Sequence, residues 1–535
     1  MTAIAHLAAG EVLPLVRSVA MAPDPLHLFT DLCGAGIRPG TLLLESGDSA
    51  DRRSEKSLVV VSSALRITCH GRTVQVHALN ENGRSILPWL SEKLMALATV
   101  EGSRNSMDIR FAAPERGDEE RRMKSPSPVD VIRVLMRELK TVSGSSAYPP
   151  LVAGVFSYDL LAAFESLPPA LNDELHWPDF ELWLPDRMIW IHHQQSAASV
   201  VAHVFGGEFQ ERAYHDSAAA IAVLTARCSA PPVVDRPEHD AGRSSVDLSD
   251  IEVDLDDDEF MRLVETLKEH IIAGDVFQIV ASRTFRIPCP DPVASYRQLR
   301  RINPSPYMFF VNGTAGILFG SSPETAVKVD GLPRRVEIRP IAGTRRRGLR
   351  PDGDVDDDLD SRMEADLRLD EKEVAEHMML VDLARNDVAR VSVAGTRRVD
   401  KLLSVERYSH VMHLVSQVSG LLRPDLDALH AYVASMNMGT LVGAPKIKAA
   451  ELLRTHERTA RGPYGGAVGY FTADGRMDTS IIIRSAAVVN GVAVIRAGAG
   501  IVYDSDPRSE ATETRKKAQA VLQAIAAPEA GSATS

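Results

Sequence analysis

Short runs of apolar and β-branched residues, separated by polar residues, fill the first part of the chain, up to about residue 230. Runs of this length and composition are typical of β-strands. They read TLLLES, SLVVVSSALRITC, TVQVHAL, LVAGVFSYDL, FELWLPDRMIWIHH and ASVVAHVF. Apolar residues at helical spacing predict helices near 129–141 and 208–228. This part of the chain is therefore predicted to be rich in strands.

The later part of the chain repeats this alternation of strands and helices. Its strand-like runs read FQIVASRTFRI, YMFFVN, GILFGSS, AVKVDG, VEIRP, AVGYFTADG, TSIIIRSAAVV and VAVIRAGAGIVYD. The turns ADG (473–475) and NG (490–491) predict hairpins. Helices are predicted near 371–390, 425–436, 444–456 and 508–527. Hairpins with interspersed helices favour an α/β (α+β) fold, with large antiparallel sheets packed as a two-layer core flanked by helices.

Two polar stretches are candidates for loops or linkers. One is the charged and Ser/Pro-rich segment 115–128, and the other is the Pro-rich segment 229–250. Helical periodicity begins directly after the second one, behind the acidic run Asp254–Asp258. We therefore expect an N-terminal domain at 1–235, a linker at 236–250, a larger domain at 251–525 and a flexible tail at 526–535.

Composition narrows the possible classes of protein. The chain has 535 residues, and its net charge of -12 without a basic stripe argues against nucleic acid as a partner. Its four cysteines form no CxxC pair, which suits a reduced, cytoplasmic protein. The N-terminus has neither a basic region nor a long apolar run, so we expect no signal peptide and no membrane span.

Two pairs of glutamates offer the most informative chemistry. Glu373 and Glu376, like Glu510 and Glu513, are three residues apart, so each pair occupies one face of its predicted helix. If the two faces meet, four carboxylates surround one point, and a hard divalent cation such as Mg²⁺ would neutralise them. The alternative is two solvated helix faces, which is the usual reading of a single ExxE.

Several other residues near these helices could bind an anionic ligand. Gly498-Ala499-Gly500 could bring backbone amides close to an anion, although a tight turn is the simpler reading. Arg484 is predicted on a strand between apolar residues, where it needs either a carboxylate ligand or a structural salt bridge. Lys517 follows Glu513 by four residues, a spacing that also fits a surface ion pair.

A further group could transfer protons or contact a ligand. His413 lies among apolar residues and is either a satisfied core histidine or an acid–base group. Glu324 lies in a loop between strands, where a buried carboxyl could donate a proton. Thr440, Gly343 and Thr344 lie at glycine-containing turns, where a hydroxyl can contact a ligand or cap a helix.

Nine segments taken together resemble the chorismate-utilising enzymes, and within them the large subunits of anthranilate synthases. They are PSPYMFF, FGSSPE, PIAGTRRRG, EHMMLVDLARND, YSHVMHLVS, NMGTLVGAPK, YGGAVGYF, IIIRSA and RAGAGIVYDSDPRSEATETRKKA. The resemblance covers roughly residues 40 to 525, and the combination is specific although no single motif is. It implies conversion of chorismate and ammonia to anthranilate and pyruvate through aminodeoxyisochorismate, the first step of tryptophan biosynthesis.

The resemblance also implies residue roles. Glu376 and Glu513 would bind Mg²⁺, and Glu373 and Glu510 would hold its water molecules. Glu324 would protonate the departing 4-hydroxyl, and His413 would assist the elimination of pyruvate. The substrate-contacting residues would be Gly343, Thr344, Thr440, Tyr464, Arg484, Gly498, Ala499, Gly500 and Lys517.

Two positions distinguish this chain from sister enzymes in the same resemblance. Ala342 stands where aminodeoxychorismate synthases carry a nucleophilic lysine, and Gln278 stands where isochorismate synthases carry a lysine base. Neither side chain can perform those reactions, which favours ammonia as the nucleophile. The alternatives are a synthase that stops at aminodeoxyisochorismate and a non-catalytic homologue that senses tryptophan.

The resemblance finally implies regulation and a partner. The smaller N-terminal domain would help form a site for feedback inhibition by L-tryptophan, with contacts from Glu45, Ser46, Lys56, Pro306, Tyr307 and Met308. No cysteine lies in a glycine-flanked nucleophile elbow, so a separate glutamine amidotransferase subunit would supply ammonia. Two large and two small subunits would form a heterotetramer.

Overall fold

The computed structural model describes residues 6–47, 56–113, 119–142, 147–230, 248–350, 354–408 and 411–526. Most of the expected linker at 236–250 lies outside the described residues, and 248–250 form a short 3₁₀ turn. Of the expected tail, residue 526 ends a helix and 527–535 lie outside the described residues. The division into domains therefore stays a prediction.

The strands of the described residues carry the sheet framework. They are β1 (Glu11–Val19), β2 (Leu42–Glu45), β3 (Lys56–His70), β4 (Thr73–Ala78), β5 (Thr99–Gly102), β6 (Ser106–Arg110), β7 (Lys140–Thr141), β8 (Leu151–Phe156), β9 (Phe180–His192), β10 (Ala197–Phe205), β11 (Glu252–Val253), β12 (Gln278–Pro288), β13 (Tyr307–Asn312), β14 (Ile317–Ser322), β15 (Thr325–Asp330), β16 (Arg335–Ile338), β17 (Ile341–Arg346), β18 (Arg398–Arg407), β19 (Val411–Leu421), β20 (Gly443–Ala444), β21 (Ala467–Thr472), β22 (Met477–Ile481), β23 (Ser485–Val489) and β24 (Val492–Ile501).

Helices flank these strands. They are α1 (Pro25–Leu32), α2 (Glu81–Leu94), α3 (Glu119–Lys124), α4 (Asp130–Glu138), α5 (Gln210–Ser229), α6 (Asp257–Ile272), α7 (Pro292–Ile302), α8 (Asp357–Leu369), α9 (Glu371–Val391), α10 (Ala428–Ser435), α11 (Lys446–His456) and α12 (Pro507–Ala526). Helix α3 corrects the expectation that 115–128 is only a loop. Across the described ranges, no helix is long and apolar enough to cross a membrane.

Among the described residues, the strands pair in antiparallel fashion, apart from the short parallel contact of β1 with β7. Both predicted hairpins form, since β21 pairs with β22 and β23 pairs with β24. Strands from the first part of the chain also pair with strands from the later part: β2 pairs with β13, and β8 pairs with β21. The large antiparallel sheet with flanking helices confirms the predicted mixed α/β class.

The apolar core explains why helices cover this sheet. One buried cluster draws almost entirely on strands and loops, including Leu58, Trp183, Trp190 and Phe309. Two larger clusters combine strand side chains with the inner faces of helices, for example Leu90 of α2 in the first of them. Burial of apolar side chains on both sides of the strands removes the sheet faces from water, which is the main favourable term in folding.

Helices α9 and α12, which carry the paired glutamates, begin where the sequence predicts. Asp370 caps α9 by accepting a hydrogen bond from the Glu373 backbone amide, and capping of this kind is typical of aspartate. Helix α12 starts at Pro507, whose fixed φ suits the first helical turn. Both helices bury an apolar stripe, so the register of their glutamates relative to the core is set by packing.

Candidate functional site

The glutamates of α9 and α12 lie close together, with the ammonium of Lys372 between them. Lys372 Nζ is 3.7 Å from Glu376 Oε1 on its own helix and 3.8 Å from Glu510 Oε1 on α12. Burial alone would lower the pKa of Lys372, but the charges of Glu376, Glu510, Glu513 and Glu373 raise it. All four predicted carboxylates therefore act on one point in space.

The electrostatics of this cluster indicate a shortage of positive charge. Burial, followed by repulsion from neighbouring glutamates, raises the pKa of Glu376 to about 7. The pKa values of Glu373 and Glu510 are raised for the same main reason. Burial acts in the same sense on Glu513, but the adjacent Lys517 ammonium outweighs it and lowers the pKa. Carboxylates in this state attract a cation.

The donor set fits an oxygen-liganded divalent cation, although the side chains are not arranged around one. As they stand, no three His, Cys, Asp or Glu residues in the described ranges form a cluster that could hold a metal ion. However, Glu376 Oε1 is buried without a hydrogen-bond partner among the described residues, which leaves one strong acceptor unused. Carboxylate oxygens are the ligands that Mg²⁺ prefers.

Strand β17 lies against the start of α9. Gly343, at φ +74°, leaves so little room that an added Cβ would stand 3.3 Å from Glu373 Oε2. The next arginine, Arg345, binds Asp366 at 2.5 Å, Asp370 at 2.6 Å and Glu373 at 3.3 Å. These contacts orient Glu373 and join Gly343 to the glutamate cluster. Gly343 and Thr344 lie inside β17, at a register shift against β19, which corrects their predicted position at a turn.

His413 lies beside Thr344 on the neighbouring strand β19. Its Nδ1 is 3.2 Å from the Gly343 carbonyl oxygen and 3.0 Å from Thr344 Oγ1. Since a carbonyl oxygen only accepts, Nδ1 carries the proton and Nε2 keeps a free lone pair. Burial lowers the pKa of His413 to about 4, so the ring is neutral near pH 7. The arrangement suits a base at Nε2.

Glu324 is a buried carboxyl at the end of the loop between β14 and β15. Burial raises its pKa to about 8, and the Thr440 hydroxyl, the Ile341 amide, Lys517 and Arg484 oppose this shift only in part. The carboxyl is therefore mostly protonated at neutral pH and can donate a proton. The Thr440 hydroxyl has no hydrogen bond of normal geometry to any described residue, which leaves it available to a ligand.

Arg484 lies in a break between two strands, which corrects its predicted position inside one. Strand β22 ends at Ile481 and β23 begins at Ser485, and Arg484 has a φ of +50°. A left-handed backbone costs a non-glycine residue free energy and is common at functional sites. Burial lowers the pKa of this guanidinium against the opposing charges of Tyr464, Glu513 and Glu324.

Gly498 and Gly500 lie inside β24, which confirms the strand predicted over this segment and rules out the alternative of a tight turn. They face Ser282 and Val280 of β12 across an antiparallel ladder. An added Cβ at Gly498 would stand 2.9 Å from the Tyr464 hydroxyl oxygen, and one at Gly500 would stand 2.9 Å from a side-chain nitrogen. That nitrogen is Nε2 of Gln278. Only glycine lets the backbone approach these side chains so closely.

Lys517 connects this strand to the glutamate cluster. Its ammonium donates a hydrogen bond of 3.0 Å to the Gly498 carbonyl oxygen and lies 2.5 Å from Glu513 Oε1. The i,i+4 pair predicted from the sequence is thus present, but it faces the strand rather than only solvent. The predicted metal, substrate and acid–base residues form one connected region.

The six residues predicted to contact tryptophan line a separate cavity of about 440 Å³, and the glutamate pairs do not line it. They meet because β2 pairs with β13, with Glu45 opposite Met308. Tyr307 donates a hydrogen bond of 3.0 Å to Asp478 Oδ1 and lies 3.1 Å from Thr325 Oγ1. Thr325 directly follows Glu324, so the cavity wall touches the segment that carries the proton donor.

Several side chains in these regions are absent from the sequence prediction. Lys372 could have been noticed, because it precedes Glu376 by one helical turn. Arg345 lies within a recognised motif, but its triple carboxylate contact depends on the fold. Asp478 and the ion pair of Arg339 with Glu406 line the cavity, and nothing local in the sequence indicates this.

Comparisons with known proteins support one family. A family model described as chorismate binding enzyme matches residues 97–523. The chain is 45% identical to anthranilate synthase component 1 of Vibrio parahaemolyticus, over 97% of this chain and 94% of that protein. It is 48% identical to the Escherichia coli K12 protein of the same name, over 95% of both chains. The crystal structure of anthranilate synthase component I from Streptococcus pneumoniae TIGR4 is similar, with a TM-score of 0.66 at 28% identity over 88% of this chain and 92% of that chain.

Proposed function

The chain belongs to the family of chorismate binding enzymes, and from that premise we propose that it converts chorismate and ammonia to anthranilate, pyruvate and water, the first step of tryptophan biosynthesis. The observation that carries this proposal is the meeting of four glutamates from α9 and α12 around one cationic point. Chorismate carries two carboxylates, so its site in an acidic protein needs concentrated positive charge.

We propose that Glu376 and Glu513 hold Mg²⁺ directly, and that Glu373 and Glu510 hold its water molecules. When bound, the cation supplies positive charge for the ring carboxylate of chorismate. Arg484 would bind the other carboxylate with its planar guanidinium. Tyr464, Lys517 and the backbone of Gly498, Ala499 and Gly500 would orient it, as their close approach at β24 supports. Gly343, Thr344 and Thr440 would contact the ring.

Glu324 supplies the proton that departs with the 4-hydroxyl group as water. A general acid must be protonated before the step, and a pKa of about 8 meets this condition at neutral pH. Ammonia attacks C2 of the ring, the double bonds shift, and the C4–O bond breaks. The ammonium formed at C2 then loses one proton to solvent, which balances the proton that Glu324 gave. The product of this half-reaction is aminodeoxyisochorismate.

His413 completes the reaction by accepting the C2 proton through Nε2 as pyruvate leaves from C3. Its hydrogen bond to the Gly343 carbonyl fixes the tautomer that this role requires. The C2–H electrons form the last ring double bond, the C3–O bond breaks, and the enolate of pyruvate picks up a proton. Aromatic anthranilate remains.

Ammonia is favoured over other nucleophiles by two side chains. Ala342 has no amine that could attack the ring, and Gln278 cannot deprotonate water. The Gln278 amide lies beside Gly500, at the place where the substrate would sit. A synthase that stops at aminodeoxyisochorismate is the second candidate, and the free Nε2 of His413 argues for completion of the reaction.

We further propose that L-tryptophan inhibits the enzyme by binding in the cavity lined by Glu45, Ser46, Lys56, Pro306, Tyr307 and Met308. Burial raises the pKa of Glu45 to about 7, and its carboxyl bonds to Tyr296 at 2.6 Å and Arg300 at 2.9 Å. The Tyr307–Thr325 contact offers a short path from this cavity to Glu324. L-Tryptophan would inhibit catalysis if it binds more tightly to one conformation of the segment that carries Glu324 and Thr325 than to another.

Ammonia would come from a separate glutamine amidotransferase, the second component that the name of the relatives implies. All four cysteines are free and buried, and burial raises the pKa of Cys33 to about 12 and of Cys228 to about 11. Buried thiols of high pKa are poor nucleophiles for glutamine. We propose a cytoplasmic heterotetramer of two large and two small subunits, with the N-terminal domain at 1–235 and the catalytic domain at 251–525.

The decisive experiment measures anthranilate fluorescence from chorismate, Mg²⁺ and ammonium salt with this chain alone. We expect activity that EDTA abolishes and L-tryptophan reduces. Glu376→Gln should lose most of the activity, and Glu371→Gln is the matched control because Glu371 is exposed on the same helix. A non-aromatic amino product would favour the second candidate. Inactivity of well-folded protein would favour a non-catalytic homologue that senses tryptophan.

A further inference from the structure

Each of the four clustered glutamates has a cationic side chain beside it. Two of the glutamates each have their own cation, and the other two share one. Arg345 lies 3.3 Å from Glu373, and Lys517 lies 2.5 Å from Glu513. Both cations also have other partners, as described above. Glu376 and Glu510 instead share Lys372, at 3.7 Å and 3.8 Å. This lysine therefore supplies charge to both helices at once.

The contacts of Lys372 are loose. Both distances exceed the length of a hydrogen bond, and 56% of the side chain is exposed. A fixed lysine in the same protein looks different: Lys446 donates to Asp387 at 2.9 Å and 3.0 Å, and only 12% of its side chain is exposed. An exposed ammonium on a flexible four-carbon stem can move into solvent at little cost.

The carboxylates beneath it cannot move out so easily. The Glu510 side chain is only 3% exposed, and Glu376 Oε1 is buried with no hydrogen-bond partner in the part of the chain that the structure describes. Buried carboxylates of two helices repel one another unless a positive charge lies between them. Lys372 occupies that position now, and a divalent cation bound by the same oxygens would repel it.

We propose that Lys372 is an internal counter-cation that holds the glutamates of α9 and α12 together before a divalent cation binds, and that it moves into solvent when the cation enters. The inference rests on the proposed Mg²⁺ site. Lys372 is then a positioning residue that sets the affinity for the metal: the protein remains ordered without Mg²⁺, and binding has to displace one positive charge.

The test compares Lys372→Met, which keeps the stem and removes the charge, with Lys372→Arg, which keeps the charge. Calorimetric titration with Mg²⁺ alone gives the affinity, and thermal unfolding in EDTA gives the stability of the metal-free protein. We expect Lys372→Met to bind Mg²⁺ about five- to tenfold more tightly, because the cation then no longer displaces a solvent-exposed unit charge that lies about 4 Å from the glutamate oxygens. The same variant should melt at a lower temperature in EDTA, and Mg²⁺ should raise its melting temperature more than that of the parent.

Lys448→Met is the matched control, because Lys448 forms an exposed ion pair with Glu451 at 3.2 Å on α11. Lys448→Met removes one positive charge, as Lys372→Met does, and its Mg²⁺ affinity should stay within about twofold of that of the parent protein. Equal or weaker Mg²⁺ binding by Lys372→Met overturns the inference while the proposed function stands. A parent protein that binds no Mg²⁺ overturns the inference and the proposed metal site. The proposed reaction is overturned as well if that protein forms no anthranilate, whereas anthranilate formation in EDTA would limit the failure to the metal site.

Discussion

Replacement of Glu324 by glutamine tests the proposed proton donor most directly. Glu324 as a whole residue is 6% exposed, and burial raises the pKa of its carboxyl from 4.5 to about 8. At about 1.4 kcal/mol for each tenfold change, this difference corresponds to roughly 5 kcal/mol of preference for the neutral form. At pH 7 about ten molecules carry the proton for each one that does not. Glutamine has a similar shape but no acidic proton.

The assay is anthranilate formation between about pH 6 and about pH 9 at constant free ammonia, because the free amine itself increases with pH. The parent rate should fall about tenfold per pH unit above about pH 8, where Glu324 loses its proton. Glu324→Gln should lose about 10²- to 10⁴-fold in rate, the usual contribution of a general acid. Glu371→Gln, at an exposed glutamate, should behave like the parent.

The free energy of unfolding should also change with pH as Glu324 loses its proton. Because the folded pKa lies above the unfolded value, the folded protein binds more protons between pH 4.5 and about 8. The contribution of Glu324 to the free energy of unfolding is therefore complete below pH 4.5 and is lost as pH rises through about 8. Glu324→Gln should lack this dependence in urea unfolding. A variant within about threefold of the parent rate, or a parent rate that keeps rising above about pH 8, refutes the assignment.

Three further substitutions test neighbouring parts of the molecule. His413→Gln should accumulate aminodeoxyisochorismate, detected by chromatography, because no base then removes the C2 proton; normal anthranilate yield would contradict this role. Gly498→Ala should raise KM for chorismate and cost about 1–3 kcal/mol of stability in urea unfolding, since its Cβ would stand 2.9 Å from the Tyr464 hydroxyl. Tyr307→Phe removes the hydrogen bonds with Asp478 and Thr325. Since each hydrogen bond contributes about 0.5–1.5 kcal/mol, the inhibition by L-tryptophan should weaken about tenfold, as measured by titrating the activity with L-tryptophan. Unchanged inhibition would show that these contacts carry no coupling.

The sequence alone determined those helices and hairpins that form through interactions between residues close together in the chain. Helix α9 was predicted at 371–390 and extends over Glu371–Val391, and α12 was predicted at 508–527 and extends over Pro507–Ala526. Caps, apolar spacing and turn residues are local signals, and both hairpins follow from them. The spacing of three residues within each glutamate pair likewise determines which side chains share a face.

Local signals failed where packing outweighs propensity. Helix α2 was not predicted, and Pro88 lies inside it, where proline normally breaks a helix. Its buried side chains, among them Ile86 and Leu90, compensate through the core. The left-handed backbone of Arg484, in the break between β22 and β23, is likewise imposed by neighbouring strands.

Only the tertiary structure decided which other side chains the candidate site residues contact. Glu376 and Glu510 are separated by more than a hundred residues in the chain, and their shared contact with Lys372 arises because α9 and α12 pack near one another. The pairing of β2 with β13 brings Glu45 opposite Met308 in the same way. Charges and hydrogen bonds between distant segments depend on distances of a few ångströms. Local sequence therefore specifies the chemical groups, and long-range packing specifies their pKa values and partners.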